Sequence, residues 1–383
     1  MPTSPGHLSS LLERHRILVC LGSGGVGKTT TAAAIALEAA MAGKRVLCLT
    51  VDPARRLATS LGMTGIRGRA QPVSPEHFQR QGLECKGELW AMMLDPKTTF
   101  DTLVTRHASS AASQERILAN PFYRYISTSL SGTQEYMAME QLYMLREDPR
   151  WDLLVLDTPP TANALDFLEA PQRLVQAVDS PAIRWLLQWV EGQGRTFDLL
   201  GRGANLLLKG IARFTGGAFL MQVADFVAGM NELFGGFRQR AERVGAILRS
   251  DEVAFCLVSS PSPQSTGEAL FLSRRLAQMG MRSSALVVNG VHPLAEGAPR
   301  NRSELQELSS RLPAPLQHSE SLDRLQGVYE EEFSRARGES KGLRELRTQL
   351  PSSLVYAEVP AFAHDVHDLA SLHRVGRALI VPA

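Results

Sequence analysis

The sequence predicts an α/β fold: a doubly wound, mostly parallel sheet with an inserted helical subdomain. Three observations support this prediction, namely short apolar runs without polar alternation, helix-like segments between them, and two long stretches without a convincing strand. The chain has 383 residues, of which 44% are hydrophobic and 21% are charged, so it can bury a large core.

The apolar runs are typical of parallel strands that are covered on both faces. They are Ile17 to Leu21, Val46 to Val51, Leu89 to Leu94, Leu153 to Leu156, Val253 to Val258, Ala285 to Val288 and Leu354 to Val359. Helix-like segments separate many of these runs, and the alanine-rich segment Lys28 to Met41 is the clearest example. Strands that alternate with helices indicate a doubly wound sheet.

Two stretches, 97–148 and 166–250, depart from this alternation and carry apolar residues at three- and four-residue spacings. We interpret them together as the inserted helical subdomain. The sheet domain then consists of 1–96, 149–165 and 251–383. Within it, residues 301 to about 349 are charged, mixed in sign and interrupted by prolines, which predicts a solvated helical hairpin.

Composition excludes several classes of function. Lys and Arg total 41 against 39 Asp and Glu, so the chain lacks the basic footprint that predicts nucleic acid as a partner. The first residues are polar, and no window of about 18 uncharged apolar residues occurs, so we expect a cytoplasmic protein. The four cysteines form no C-x-x-C pair, which argues against a zinc site and favours buried thiols.

Residues 22–30 read GSGGVGKTT, which fits the phosphate-binding pattern G-x-x-x-x-G-K-S/T. The motif lies between a predicted strand and a predicted helix, the context that this loop requires. Glycines let consecutive backbone N–H groups face a phosphate, while the lysine would bind the β- and γ-phosphates of ATP and the next hydroxyl would bind Mg²⁺. The predicted nucleotide-binding residues are Gly24, Gly25, Val26, Gly27, Lys28, Thr29 and Thr30.

Two aspartates follow strands that neighbour the loop. Asp157 closes the run Leu153 to Leu156, and from that position it can hold Mg²⁺ together with Thr29. Asp52 follows Val46 to Val51 and could activate the attacking water as a catalytic base. Spacing alone leaves an alternative, because an Asp before Pro53 is also a good cap for a helix from Pro53 to Leu57.

The motifs GSGGVGKTT, TVDPARRLA and LDTPPTANALDFL resemble the P-loop, switch I and switch II of the arsenical-pump and guided-entry ATPase family. SSPSPQSTGEALFL and ALVVNGVHP are similar to a late strand-loop-helix and to the segment with the family's adenine-binding Asn, here Asn289. The strongest likeness is to a bacterial subgroup that forms one half of a paired guided-entry-like complex. The resemblance implies an ATP hydrolase with Lys28 and Asp52 catalytic, and with Thr29 and Asp157 on Mg²⁺.

The resemblance also implies a dimer, but this chain departs from the family at the residue that completes the partner's site. The family's signature lysine is Ser23 here, and a serine cannot supply that charge. A homodimer would need Arg55 or Arg56 as a substitute, whereas a heterodimer with a paralogous ATPase could use the paralogue's lysine. Switch II differs too, with Ala162 and Asn163 where most relatives have Gly and His. The metalloid-binding cysteines have no convincing counterparts, so arsenite transport is not expected.

The resemblance implies a use for the helical subdomain, which forms a groove for a client's membrane helix in guided-entry relatives. The residues Tyr136, Met137, Met139, Tyr143 and Met144 could line such a groove, or they could be ordinary core. An alternative function is a membrane-positioning or partitioning ATPase of the septum-site type, which would use an apolar stripe near the chain's end as a membrane helix. The stripe consists of Val366, Leu369, Leu372, Val375 and Leu379. A closing helix packed on the sheet explains that stripe as well. A third alternative is a structural subunit that does not hydrolyse ATP.

Overall fold

A computed structural model describes most of the chain. The described residues are 8–52, 54, 56–121, 123–124, 127, 133–159, 164–178, 226, 236, 238–294, 303–304, 307, 311, 319–351 and 353–380.

One eight-stranded sheet forms the centre of the described structure. Its strands are β1 Ile17–Gly22, β2 Arg45–Thr50, β3 Gln71–Pro72, β4 Glu88–Met93, β5 Leu153–Asp157, β6 Val253–Ser259, β7 Ser283–Val291 and β8 Val355–Pro360. The strand order is β3-β4-β2-β5-β1-β6-β7-β8, and every neighbouring pair is parallel except β3 with β4. The predicted α/β class and all seven predicted strands are therefore confirmed.

Helices connect these strands and cover both faces of the sheet. They are α1 Leu8–Arg14, α2 Lys28–Met41, α3 Arg56–Ser60, α4 Pro75–Arg80, α5 Pro96–His107, α6 Ala111–Ala119, α7 Thr133–Glu147, α8 Ala164–Val178, α9 Pro263–Gln278, α10 Ser319–Thr348 and α11 Leu369–Ile380. A further helical segment covers 238–247. The predicted bounds of α2 agree with the structure.

The position of β1 in the sheet determines where a ligand can bind. Strands β2 to β5 lie on one side of β1, and the later strands β6, β7 and β8 lie on its other side. Such a reversal opens a crevice at the carboxyl ends of the strands. The loops after β1, β2 and β5 all meet at this edge, because these three strands are adjacent and parallel.

Alternate side chains of the strands supply two apolar cores, one on each face of the sheet. Cys20, Cys48 and Cys256 are buried in the first core, as the sequence predicts for thiols that act as small hydrophobes. Helix α2 also packs there through alanines, since small side chains let a helix approach the sheet closely. The fully buried alanines of α2 are Ala32, Ala33, Ala34, Ala36 and Ala40.

Helix α11 packs against the first core through the apolar stripe that the alternative function would place in a membrane. Leu369, Leu372, Val375 and Leu379 are all buried there. A Cβ at Gly376 would lie 2.3 Å from the side chain of Glu38 on α2, so the glycine allows the two helices to approach closely. The stripe is therefore core, and no helix among the described residues is long and apolar enough to cross a membrane.

Helices α5, α6, α7 and α8 share a third apolar cluster, which lies within the predicted helical subdomain. Helix α7 has two buried faces, because Tyr136 and Met137 belong to this cluster while Met139 packs on the sheet. These three residues are thus core in the described structure. The heavy apolar load predicted for 179–225 and 227–235 lies outside the described residues, so the subdomain boundaries stay a prediction.

The predicted solvated hairpin over 301 to about 349 needs correction in its second half. Helix α10 runs without a break through 30 residues, and it buries Ala336, Leu343 and Leu346. The charged residues dominate the local pattern, but two of these apolar positions, Leu343 and Leu346, anchor the end of the helix on the sheet. The prolines that should break the hairpin lie outside the described residues.

Candidate nucleotide site

The loop between β1 and α2 depends on glycine at defined positions. Gly25 and Gly27 have φ angles of 80° and 91°, a left-handed conformation that residues with a Cβ rarely adopt. At Gly27 a Cβ would also lie 2.2 Å from the amide nitrogen of Asn289. The loop then enters α2 at Lys28, so the free N–H groups of the first helical turn lie at the loop. A glycine-rich loop that opens a helix is the geometry that phosphate binding requires.

Lys28 lies inside this loop rather than on the surface, with only 7% of its area exposed. Its Nζ donates a hydrogen bond to the backbone carbonyl of Ser23 at 2.8 Å. Burial lowers the pKa of Lys28, while the nearby carboxylates of Asp157 and Asp52 oppose that shift. The ammonium group is therefore held at the loop by negative neighbours, in a position to bind phosphate.

Asp157 occupies the end of β5 and is fully buried. Its Oδ2 accepts hydrogen bonds from the hydroxyls of Thr29 at 2.7 Å and Thr50 at 2.8 Å. Its Oδ1 has no hydrogen-bond partner among the described residues. Sequence reasoning pairs Asp157 with Thr29 and misses Thr50, although Thr50 closes β2 next to β5 and strand order would have identified it. A buried carboxylate oxygen without a hydrogen-bond donor is costly, and a bound cation would satisfy it.

Burial raises the pKa of Asp157 to about 6, although the two threonine hydroxyls and the charge of Lys28 act in the opposite direction. The folded protein without nucleotide thus holds a proton on Asp157 more tightly than the unfolded chain does. This carboxylate contributes stability below about pH 4, the ordinary range of an Asp, and that stability is lost as the pH rises through about 6.

We expect Asp157→Asn to remove this decline in the free energy of unfolding between about pH 4 and pH 6. Urea unfolding curves of the nucleotide-free protein at several pH values would measure it. Asp152→Asn is the matched control, because Arg45 lowers the pKa of Asp152 to about 2 through hydrogen bonds. The contribution of Asp152 to the free energy of unfolding is lost as the pH falls, so its pH dependence is opposite to that of Asp157. Equal pH profiles for wild type and Asp157→Asn would refute the expectation.

Asp52 follows β2 at the same edge and is half-buried. Its Oδ1 accepts the backbone N–H of Ala54 at 2.9 Å, so the carboxylate stabilises the turn that begins switch I. Helix α3 begins at Arg56, and Pro53, where the alternative helix would begin, lies outside the described residues. The Oδ2 of Asp52 is in none of the described hydrogen bonds. The local geometry therefore accommodates both a turn-stabilising role and a catalytic one.

Gln134 is a contact that the sequence analysis did not single out. Its Nε2 donates to the carbonyl of Val51 at 3.0 Å, and Val51 immediately precedes Asp52. The bond ties the first turn of α7 to the end of β2 across 83 residues. Helix α7 thus connects the turn that carries Asp52 to the third apolar cluster.

Asn289 on β7 lies beside the P-loop, where its Nδ2 donates to the carbonyl of Val26 at 3.0 Å. Its predicted role on adenine stays a prediction. Ser23 donates its hydroxyl to Glu268 Oε2 on α9, a contact between residues 245 positions apart. Arg56 is exposed and close enough to Lys28 to lower its pKa. Arg55, Ala162 and Asn163 lie outside the described residues.

The chain is similar to several known proteins. Residues 15–307 match the family of anion-transporting ATPases. The chain is similar to the ATPase GET3 of Malassezia globosa, with 24% identity over 290 residues that cover 74% of this chain and 76% of the relative. It is also similar to the ATPase get3 of Aspergillus terreus, with 29% identity over 163 residues that cover 41% and 43%. The ATPase ASNA1 homolog 1 of Paramecium tetraurelia is 29% identical over 150 residues, which cover 39% and 42%.

Proposed function

The chain belongs to the anion-transporting ATPase family and is an ATP hydrolase, and we propose that it acts as a Mg²⁺-dependent, dimeric nucleotide switch. ATP binding and hydrolysis would control the binding of a client or partner protein through the helical subdomain. The observation that carries the proposal is the buried carboxylate of Asp157, which lies against Thr29 of the P-loop with one oxygen left without a donor.

The residues at this position fit Mg²⁺. The ion prefers oxygen ligands and keeps several waters, so it does not need a protein cage of its own. No cluster of three metal-binding side chains occurs in the described part of the chain. Thr29 and Asp157 would hold the ion together with nucleotide oxygens, and the bound ion would neutralise charge on the phosphates.

The chain's own groups have separate tasks in the proposed reaction. The P-loop N–H groups and the Lys28 ammonium bind and orient the phosphates, and Lys28 exchanges its bond to the Ser23 carbonyl for one to phosphate. Asp52 orients the attacking water and accepts its proton. Asn289 lies beside Gly27 and supports the loop through its bond to the Val26 carbonyl, and we propose that it also contacts the base.

The proposed dependence on Mg²⁺ can be tested by steady-state ATP hydrolysis with increasing Mg²⁺. We expect hydrolysis to stop when the ion is chelated and to recover when it is added back. Asp157→Asn should need about tenfold more Mg²⁺ for half-maximal rate, the scale of one lost charge-assisted contact. Asp152→Asn changes the same residue type just before the opposite end of β5, and it should behave like wild type. Hydrolysis at full rate without divalent ions would contradict the proposal.

Asp52→Asn keeps the size of the side chain and removes the basic carboxylate. We expect nucleotide to bind with nearly normal affinity while turnover falls by about 10²-fold or more, the range for a lost general base. The Asn side-chain oxygen can still accept the N–H of Ala54, so the turn should persist. Fluorescent-nucleotide binding and phosphate release would be measured on one preparation. Unchanged turnover would leave Asp52 with the structural role alone.

The same variant tests the proposed switch, because it should hold ATP without consuming it. Sedimentation velocity would compare the variant in ADP and in ATP, and we expect a dimer to accumulate only in ATP. A synthetic apolar helix added to each state would report on client binding. A protein that stays monomeric in both nucleotides, alone and with a lysine-carrying paralogue, would rule out the dimeric switch.

The described structure does not favour the septum-site alternative, since the apolar stripe of α11 is already buried on the sheet core. Co-sedimentation with liposomes in ATP and in ADP would separate the two functions. Nucleotide-dependent membrane binding without a client would favour the alternative.

A further inference from the structure

A cavity of about 340 Å³ lies between the end of α5, helix α7 and the helical segment 238–247. None of the residues that line it belongs to the nucleotide site. Its volume is within the range of small-ligand pockets. Some of the charged side chains around it form ion pairs with each other, and others do not.

A buried ion pair forms the floor of the cavity. Arg240 Nε donates to both carboxylate oxygens of Glu140, at 3.0 and 3.2 Å, and the hydroxyl of Tyr136 donates to the same carboxylate. Only 9% of the Arg240 side chain and 1% of the Glu140 side chain are exposed. The negative charge of Glu140 is therefore already neutralised and hydrogen-bonded, and it does not repel a second anion strongly.

Two further guanidinium groups line the cavity. Arg106 comes from the last turn of α5, and Arg243 from the segment that also carries Arg240. Neither forms an ion pair with a residue in the described ranges, and the one hydrogen bond of Arg243 is a long contact of 3.4 Å to the hydroxyl of Tyr143. The second carboxylate of the cavity, Glu147, is bound by Arg146. The charge of Glu147 also attracts Arg243, although the two form no ion pair. Two guanidinium groups thus face the cavity outside any ion pair among the described residues.

The cavity has a positive potential and a partly apolar wall. Burial lowers the pKa of His107, and the positive charges of Arg240 and Arg106 lower it further, which is the effect of a positive local potential. Leu103 and Met144 add apolar wall on the α5 and α7 sides. A suitable ligand therefore combines a compact anionic group with a small apolar part.

We propose that this cavity binds a phosphate monoester, with the phosphate between Arg106 and Arg243 and the organic group against Leu103 and Met144. A phosphate dianion balances two guanidinium groups, and its three oxygens can accept paired N–H bonds from both. A carboxylate offers one charge and two oxygens, so it would leave one arginine without a partner. The site is separate from the proposed switch, and its test does not require ATP hydrolysis.

Isothermal titration calorimetry with phenyl phosphate would test the site on the full chain. ADP at saturating concentration keeps the P-loop occupied, so that the added phosphate cannot bind there. We expect one binding site in wild type. Each lost charge-assisted contact weakens binding by about tenfold, so the double variant Arg106→Ala/Arg243→Ala should lose about 10²-fold in affinity. Its affinity for ADP should not change, because both side chains are exposed and distant in sequence from the P-loop.

Arg344→Ala is the matched control, since this exposed arginine lines a different cavity of about 330 Å³ at the end of β7. It should bind phenyl phosphate like wild type. Phosphatidylcholine vesicles with and without phosphatidic acid form the second arm, because a lipid headgroup carries the same chemistry. Binding that depends on Arg106 and Arg243 supports the site. Binding of phenyl phosphate would indicate a free ester as the ligand, and binding only to vesicles with phosphatidic acid would indicate a lipid headgroup. Absence of both kinds of binding, or equal binding by the double variant, overturns it.

Discussion

Lys28→Ala should abolish detectable ATP binding and leave the fold intact. The Lys28 ammonium is the one positive side chain buried within the described P-loop, and its present partner is a backbone carbonyl that water or phosphate can replace. Its removal leaves the phosphates without the positive side chain of the loop, and it also removes a charge that opposes the raised pKa of Asp157. Alanine is the best helix former, so α2 should still begin at residue 28.

The measurement is titration with a fluorescent ATP analogue, accompanied by circular dichroism and a thermal unfolding curve. Lys97→Ala is the matched control, because Lys97 also lies in the first turn of a helix but is exposed and paired with Asp101. It should bind ATP normally. Tight ATP binding by a folded Lys28→Ala protein would show that the nucleotide lies elsewhere.

Ser23 leads to the second large effect, because the chain lacks a cation at the position where its family carries the signature lysine. A cation supplied to a phosphoryl-transfer site is worth about 10³ to 10⁵ in rate, or about 4 to 7 kcal/mol. In the structure, the Ser23 hydroxyl is directed to Glu268 rather than to the loop's interior. We therefore expect slow hydrolysis by the isolated chain, and much faster hydrolysis when it pairs with a paralogue that has the lysine.

The hydrolysis should then be asymmetric. The paralogue's lysine would complete the site of this chain, while Ser23 would leave the paralogue's own site incomplete. Steady-state ATPase assays would compare the chain alone, the mixture, and a mixture in which the paralogue's signature lysine is changed to serine. If changing the paralogue's lysine to serine does not lower the hydrolysis rate of the mixture, the partner does not supply the missing lysine. Fast turnover by the chain alone that is lost in Arg55→Ala or Arg56→Ala would instead identify an internal substitute.

Local sequence signals predict the nucleotide edge well, because its parts are short motifs attached to strand ends. The glycine pattern requires the left-handed conformations found at Gly25 and Gly27, and the apolar run before Asp157 requires a buried strand. Parallel strands in a doubly wound sheet bring their carboxyl ends together, so Asp157 and Thr29 meet as predicted. The roles of these residues in catalysis stay predictions, since geometry alone does not measure turnover.

Contacts between distant parts of the chain could not be predicted in the same way. Thr50 forms a hydrogen bond to Asp157 across 107 residues, and Ser23 forms one to Glu268 across 245 residues. No local sequence pattern predicts either pair. The two-residue strand β3 is too short for any periodicity, and it is the one antiparallel member of the sheet. In α10, charged residues hide the few apolar positions that anchor the helix.

The sequence by itself determined the fold class, the seven longer strands, the P-loop and the two aspartates that follow neighbouring strands. These features depend on periodicity, turn chemistry and residue type, which act over a few residues. Only the tertiary structure decided that the stripe of α11 is core, that α7 packs on the sheet as well as in the third cluster, and that Arg106 and Arg243 share a cavity. Those outcomes depend on which faces meet when the sheet assembles, and burial of apolar area in the whole chain selects among faces that look alike locally.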